Sequence, residues 1–345
     1  MPPKRTAAKS LTSSERLRGV SALGAGSARR RASRGVRVLE FILAALLGLA
    51  CQRPVAPARV AAPPAAAAAS ARGAKPASPH VFLWRATIGP SVFHFLGSVH
   101  VARPDLYPLD ARIEAAFAAS DVLVLELVLD KSAQYGAAQR MIELGRLPAG
   151  SKLEDVVSPE TYQLLANAAQ RRGLSLFGLH GFHPWFVALT FTTQALESQG
   201  FSSEQGIDEH FRRSAEGRLR IEALETVEQQ LALFAGLAKD AEELMLRQTL
   251  DEIDQYGEEL DQSFQLWNGG DAAALDQLLL APMRSGYPAL FAQLFTERNQ
   301  RMLGKLKELA LRPGHYFVVV GAGHLVGKGG LVDLLGSQGI PVEQL

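Results

Sequence analysis

Two stretches of the chain are apolar on both faces of a strand. Asp121–Leu129 reads Asp-Val-Leu-Val-Leu-Glu-Leu-Val-Leu, and Tyr316–Val320 reads Tyr-Phe-Val-Val-Val. Strands without a polar face have to be covered on both sides, as in a sheet packed between layers of helix. The two lie far apart in sequence, and what separates them carries helical periodicity. Residues 158–200 and 202–216 read as helical, with Ser158-Pro159-Glu160 as a start signal. Val227 to about Tyr256 reads as one long helix, followed by Asp271–Leu280 and Pro288–Leu311. Further strands are expected at Val81–Thr87 and Ser91–Gly97, joined through Gly89-Pro90, at Arg218–Leu224 and at Ile340–Glu343. Pro104 and Asp105 open a helix presenting Leu109, Ile113, Ala116 and Phe117, and a last helix covers about 328–337. The expected fold class is α/β (mixed α+β), its sheet built from N- and C-terminal segments with a helical block between. No solenoid-type repeat is present.

The formal charge of +1 averages two unlike parts. Residues 1–37 hold ten Lys/Arg against one acid, whereas the chain after Cys51 holds 26 bases and 33 acids. Once the head is set aside no basic stripe remains, which argues against a nucleic-acid partner. The head continues into a ten-residue apolar run, Phe41–Ala50. That is half of the roughly 20 residues a membrane-spanning helix needs, and it matches a signal-peptide core. The single cysteine, Cys51, follows at once, as in a bacterial lipoprotein signal. The expectation is a signal segment over 1–51 with Cys51 as the lipidation site and a lipid anchor to a membrane at the periplasmic face of the envelope. Residues 52–79, of which 18 are Ala or Pro, read as a tether, and a folded domain occupies 80–345. One cysteine rules out both an intrachain disulfide and a Cys-rich zinc site.

Chemistry is suggested by a short motif that occurs twice after an apolar strand, Gly97-Ser98-Val99-His100 and Gly321-Ala322-Gly323-His324. Each histidine should sit in a loop leaving a strand's carboxyl end, where open α/β sheets collect ligands. Glu126 interrupts the apolar pattern of its strand, on the face of Val122, Val124 and Val128. Glu225 ends the Arg218–Leu224 strand in the same manner. Buried carboxylates need partners. In the 288–311 helix, Phe291, Phe295, Arg298, Met302, Leu306 and Leu309 share one stripe, so Arg298 points inward and can pair with Glu126 or Glu225. That pair could be purely structural or catalytic. Two histidines with carboxylates suit a divalent metal, although the spacing matches no established ligand motif. His80, His94, His180, His183, His210 and His315 read as surface or structural residues.

The combination resembles the TraB/PrgY/GumN family, which includes the Tiki-type proteases. The likeness runs through Leu83-Trp84, Leu96–His100, Asp121–Glu126, Gly206-Ile207-Asp208, Ala223–Thr226 with Gln229-Gln230, Trp267 with Gly270-Asp271, Glu297-Arg298-Asn299, Val320–Leu325 and Gly339-Ile340. It covers nearly all of 80–345 in order. The resemblance implies an erythromycin-esterase-like (EreA) or ChaN-like fold in which both Gly-x-x-His loops and a strand glutamate meet. It marks His100, Glu126 and His324 first, then Arg298, Glu225 and Asp208. His100, His324 and Glu126 would hold a divalent metal, with Glu126 either ligand or general base. Arg298 and Glu225 would assist catalysis, and Asp208 would bind substrate. The expected activity is a metal-dependent hydrolase of the TraB/GumN type, a peptidase acting on peptide or protein. The alternative is a non-catalytic envelope protein that captures a peptide, haem or other small ligand in the same cleft. For Trp267 and Gly270-Asp271 a structural reading suffices: Gly269-Gly270 end one helix and Asp271 caps the next.

Overall fold

The computed structural model describes residues 80–345 apart from Asp130. The expected signal segment, Cys51 and the 52–79 tether lie outside the described residues. The sheet comprises β1 (Leu83–Ile88), β2 (Ser91–Ser98), β3 (Val122–Leu125), β4 (Arg220–Ala223), β5 (His315–Gly321) and β6 (Val342–Gln344), in the spatial order β4-β3-β5-β2-β1-β6. β4, β3, β5 and β2 run parallel, while β1 is antiparallel to both β2 and β6. The fold is therefore a mixed α/β one, and the first and last segments of the domain do build its sheet around a helical block.

The central position of β5 follows from its composition. Phe317 packs against Phe117 and Phe211, at ring-centroid distances of 5.4 and 4.9 Å, from helices Ala111–Ala118 and Ile207–Ala215 on one face. Tyr316 points the other way, stacks on Phe93 at 4.5 Å and donates its hydroxyl to the Leu309 carbonyl of helix Glu297–Ala310 at 2.8 Å. Burying such side chains supplies about 1.5–3 kcal/mol each. β6 closes the far edge, with Val81 N–H bonded to the Leu345 carbonyl and Leu345 N–H to the Leu83 carbonyl. Among the described residues no helix is long and apolar enough to cross a membrane.

Several expected boundaries move, each for a local reason. Pro104–Leu106 form a single 3-10 turn, and the helix starts at Ala111, where the Asp110 side chain caps the Arg112 amide. The run 158–200 is two helices, Pro159–Arg172 and Pro184–Ser198. The first ends on Gly173 at φ +65°, a conformation that favours glycine. Ser158 does cap the first, as its sequence signal indicates. The long helix from Val227 stops at Ala235, capped by Gly236. Separate helices follow at Lys239–Glu252 and Tyr256–Asn268. The Pro288–Leu311 run is continuous but contains a π-helical turn at Ala292–Thr296, which ends two residues before Arg298. Finally, β3 ends at Leu125 rather than Leu129. Its pairing with β5 stops at Leu125↔Val319, and beyond that point the Glu126 side chain makes the contact with β5. Val128, expected to share the buried face, is 36% exposed.

Candidate functional site

Because four strands run parallel, their carboxyl ends meet along one edge of the sheet. His100 follows β2, Glu126 follows β3, Glu225 follows β4 and His324 follows β5. All the residues singled out at strand ends thus converge where an α/β sheet binds ligands.

The first Gly-x-x-His loop is clamped from two sides. At Gly97 a Cβ would overlap the Phe82 ring, and the Gly97 carbonyl accepts the Trp267 indole N–H at 2.6 Å. Trp267 therefore does more than end a helix: it fixes the strand leading into the loop. On the other side Ala102 and Ser202 exchange backbone hydrogen bonds at 3.0 and 3.1 Å, and Ile207 N–H donates to the Val99 carbonyl. At Gly206 any side chain would strike the His100 carbonyl. The close approach at Gly206 and the burial of Ile207 bring Asp208 onto His100, whose Nδ1 lies 2.9 Å from Asp208 Oδ2. Ser98 donates to the other Asp208 oxygen at 2.9 Å. Both Asp208 oxygens are thereby engaged, so the residue orients His100.

Arg298 pairs with both candidate carboxylates. Its guanidinium donates to Glu126 Oε2 at 2.7 Å and to Glu225 at 2.5, 3.0 and 3.1 Å, while Nη1 reaches the Leu294 carbonyl at 3.4 Å. Gln230 adds a hydrogen bond to Glu225 at 3.3 Å, and Gly321 N–H donates to Glu126 Oε1 at 2.5 Å. Through Nε and Nη2 Arg298 holds both carboxylates in place.

His324 is 1% exposed, with the Phe295 ring 5.3 Å from its own. Its Nδ1 lies 2.6 Å from Asn299 Oδ1. Its Nε2 is buried without a hydrogen-bond partner and faces Glu126 Oε1 at 3.9 Å, and His100 Nε2 faces the same oxygen at 3.9 Å. Gly321 borders this gap: a Cβ there would stand 2.9 Å from His100 Nε2 and 3.2 Å from Glu126 Oε1.

The electrostatics differentiate the three groups. Burial opposes ionisation of Glu126, but its basic surroundings, His324, Arg298, His100 and the Gly321 amide, hold its carboxyl at about 2. Burial and Arg298 push His324 down to about 3, against the pull of Glu126, so its imidazole is neutral at neutral pH. For His100 burial also favours the neutral ring, yet Asp208, by charge and hydrogen bond, and Glu126 outweigh it and raise the group to about 9.

Among the described residues no group of three or more His, Cys, Asp or Glu is closed into a set that could hold a metal as it stands. The donor chemistry nevertheless fits one. Two imidazole Nε2 atoms face one carboxylate oxygen, one of them an orphaned buried acceptor, and both rings have their Nδ1 engaged by an oxygen partner. Oxygen partners on the far nitrogen are the usual companions of metal-bound histidines.

The other histidines are placed elsewhere. His183 pairs with Glu242 at 3.0 Å, His210 with Glu114 at 3.5 Å, and His180 lies 3.3 Å from the Tyr162 hydroxyl. His94 lies within β2 and His315 opens β5. Asn299, Ser98 and Gln230 complete the site, and sequence reasoning gave none of them a role. Of the three, Asn299 had a usable signal, since it lies four residues after Phe295 and three before Met302 on the inward stripe.

Fold and site together define an α/β protein with paired Gly-x-x-His loops and a buried Glu-Arg-Glu bridge at the sheet's carboxyl edge. The TraB/PrgY/gumN family model matches residues 82–344, and the chain belongs to that family. It is 29% identical over 246 residues to the uncharacterized protein YbaP of Escherichia coli (strain K12), covering 70% of this chain and 87% of that protein. The YbaP of Shigella flexneri matches at 29% over 245 residues, again 70% and 87%. A metalloprotease TIKI homolog from Amphimedon queenslandica is 24% identical over 321 residues, covering 78% of this chain and 62% of its own length. No solved structure matches the chain.

Proposed function

We propose that the protein is a metal-dependent hydrolase, a peptidase, tethered to a bacterial envelope membrane. The observation that carries the reading is the convergence of His100 Nε2 and the unpartnered His324 Nε2 on Glu126 Oε1. The relative named as a metalloprotease supports the same direction. His100, His324 and Glu126 would hold the metal, which when bound supplies Lewis acidity toward a carbonyl and lowers the pKa of water. Asp208 aims His100, and Asn299 aims His324. Glu126 Oε1 faces both histidine Nε2 atoms, which favours the ligand role for it. Arg298 and Glu225 keep that carboxylate fixed. Gly321, lacking a side chain, lets His100 Nε2 and Glu126 Oε1 stand close to its backbone.

The test is digestion of a peptide library by the full-length protein, with and without a chelator. Cleavage that the chelator stops and added metal restores is the expected result. Metal uptake with no peptide cleaved would favour capture of a ligand instead. For the tether, the basic block, the short apolar run and Cys51 support a lipid anchor. Palmitate label is expected on the chain in cells and absent from Cys51→Ser; label that survives the substitution contradicts the anchor.

A further inference from the structure

The side chain next to Arg298 sets the chemistry of the second histidine. Asn299 Nδ2 donates to the Gly329 carbonyl at 2.8 Å, and a carbonyl can only accept. The amide end facing Gly329 is therefore the NH2 group, and the end facing His324 is the oxygen. That oxygen also only accepts, so the hydrogen between Asn299 and His324 resides on His324 Nδ1. In the neutral ring Nε2 is then a bare lone pair, buried and directed toward Glu126 Oε1, itself an acceptor. Two facing acceptors with no hydrogen between them repel unless an electropositive group lies there.

The turn that supplies the Gly329 carbonyl is built for the purpose by Gly327-Lys328-Gly329-Gly330. Gly327 and Gly329 take φ of +72° and +82°, and a Cβ at Gly330 would strike the Leu325 and Val326 carbonyls. The Gly329 amide is tied to Asp333 at 2.8 Å. The segment following the second Gly-x-x-His motif thus delivers a fixed carbonyl to Asn299.

We propose that Asn299, held by the Gly329 carbonyl, is a positioning residue that selects the Nδ1–H tautomer of His324 and keeps its Nε2 lone pair turned on Glu126. This deepens the hydrolase reading and rests on it only for the metal-binding part of the test. The full-length protein, labelled with 15N at histidine and free of metal, is observed by long-range 1H–15N correlation, the His324 signals being assigned by their loss in His324→Gln. His324 is expected to show a protonated Nδ1 and a bare Nε2. Asn299→Leu should mix the tautomers, whereas Asn299→Asp, which keeps an acceptor in place, should retain the Nδ1 proton. Zn2+ titrated alone should bind about 10–100-fold more weakly to Asn299→Leu, the usual cost of losing an outer partner. A wild-type spectrum with Nε2 protonated overturns the proposal by itself, even if Asn299→Leu does not fold. Unchanged tautomer and Zn2+ affinity in a folded Asn299→Leu overturns it as well. Should the wild type bind no Zn2+ yet show the Asn299-dependent tautomer, the positioning role stands and the metal reading falls.

Discussion

Replacing Arg298 with methionine is expected to cost about 3–5 kcal/mol of stability, the penalty for breaking a buried ion pair from one side. Methionine roughly matches the length of the side chain and keeps its apolar contacts in the helix stripe, so the loss is one of charge and hydrogen bonds. Glu126 and Glu225, both buried, would be left facing each other without the cation that bridges them. A fall in Tm on the order of 10 °C follows for a domain of this size. Adding Glu225→Gln should restore part of the loss, because it removes one of the stranded charges. The experiment is thermal and denaturant unfolding of the three proteins side by side. An Arg298→Met protein within 1 kcal/mol of the parent would mean that the bridge contributes far less than its burial indicates.

The second large effect concerns function. His100→Ala and His324→Ala should each abolish chelator-sensitive peptide cleavage, with losses beyond the roughly 10–100-fold that an outer partner costs. They should differ in stability. His324 is enclosed and packed against Phe295, so its truncation opens a cavity, while the His100 side chain is 18% exposed and its loss leaves less void. Steady-state cleavage by the folded variants measures the first effect and melting the second. Cleavage retained within tenfold in folded His324→Ala would remove that histidine from the reacting centre.

How much of this was legible in the sequence depends on the kind of signal. Arg298 could be placed on an inward face because four- and three-residue steps survive in a helix, even across the π-helical turn at Ala292–Thr296. Glu126 and Glu225 stood out because a charge in an apolar strand demands a partner, and Arg298 is that partner for both. The Gly-x-x-His loops were placed by the apolar strands before them. Other features leave no periodic trace. The break after Ala235 turns on one glycine inside a pattern that otherwise reads as continuous helix. The shortened β3 reflects where its neighbours stop pairing, which is a tertiary fact. Asp208 was marked only by the likeness through Gly206-Ile207-Asp208, because its partners Ser98 and His100 are more than a hundred residues away in sequence. Asn299 lies on the inward stripe, but spacing alone does not show which end of its amide faces His324; the Gly329 carbonyl decides that.

A divalent-metal centre made by the two histidines and Glu126 is the core of the proposed function. Elemental analysis of the full-length protein, purified without chelators and again after dialysis against single divalent metals, tests it most directly. About one tightly held equivalent per chain is expected, reduced sharply in both His100→Ala and His324→Ala. Absence of any divalent metal under every loading condition, with both variants melting like the parent, would contradict it.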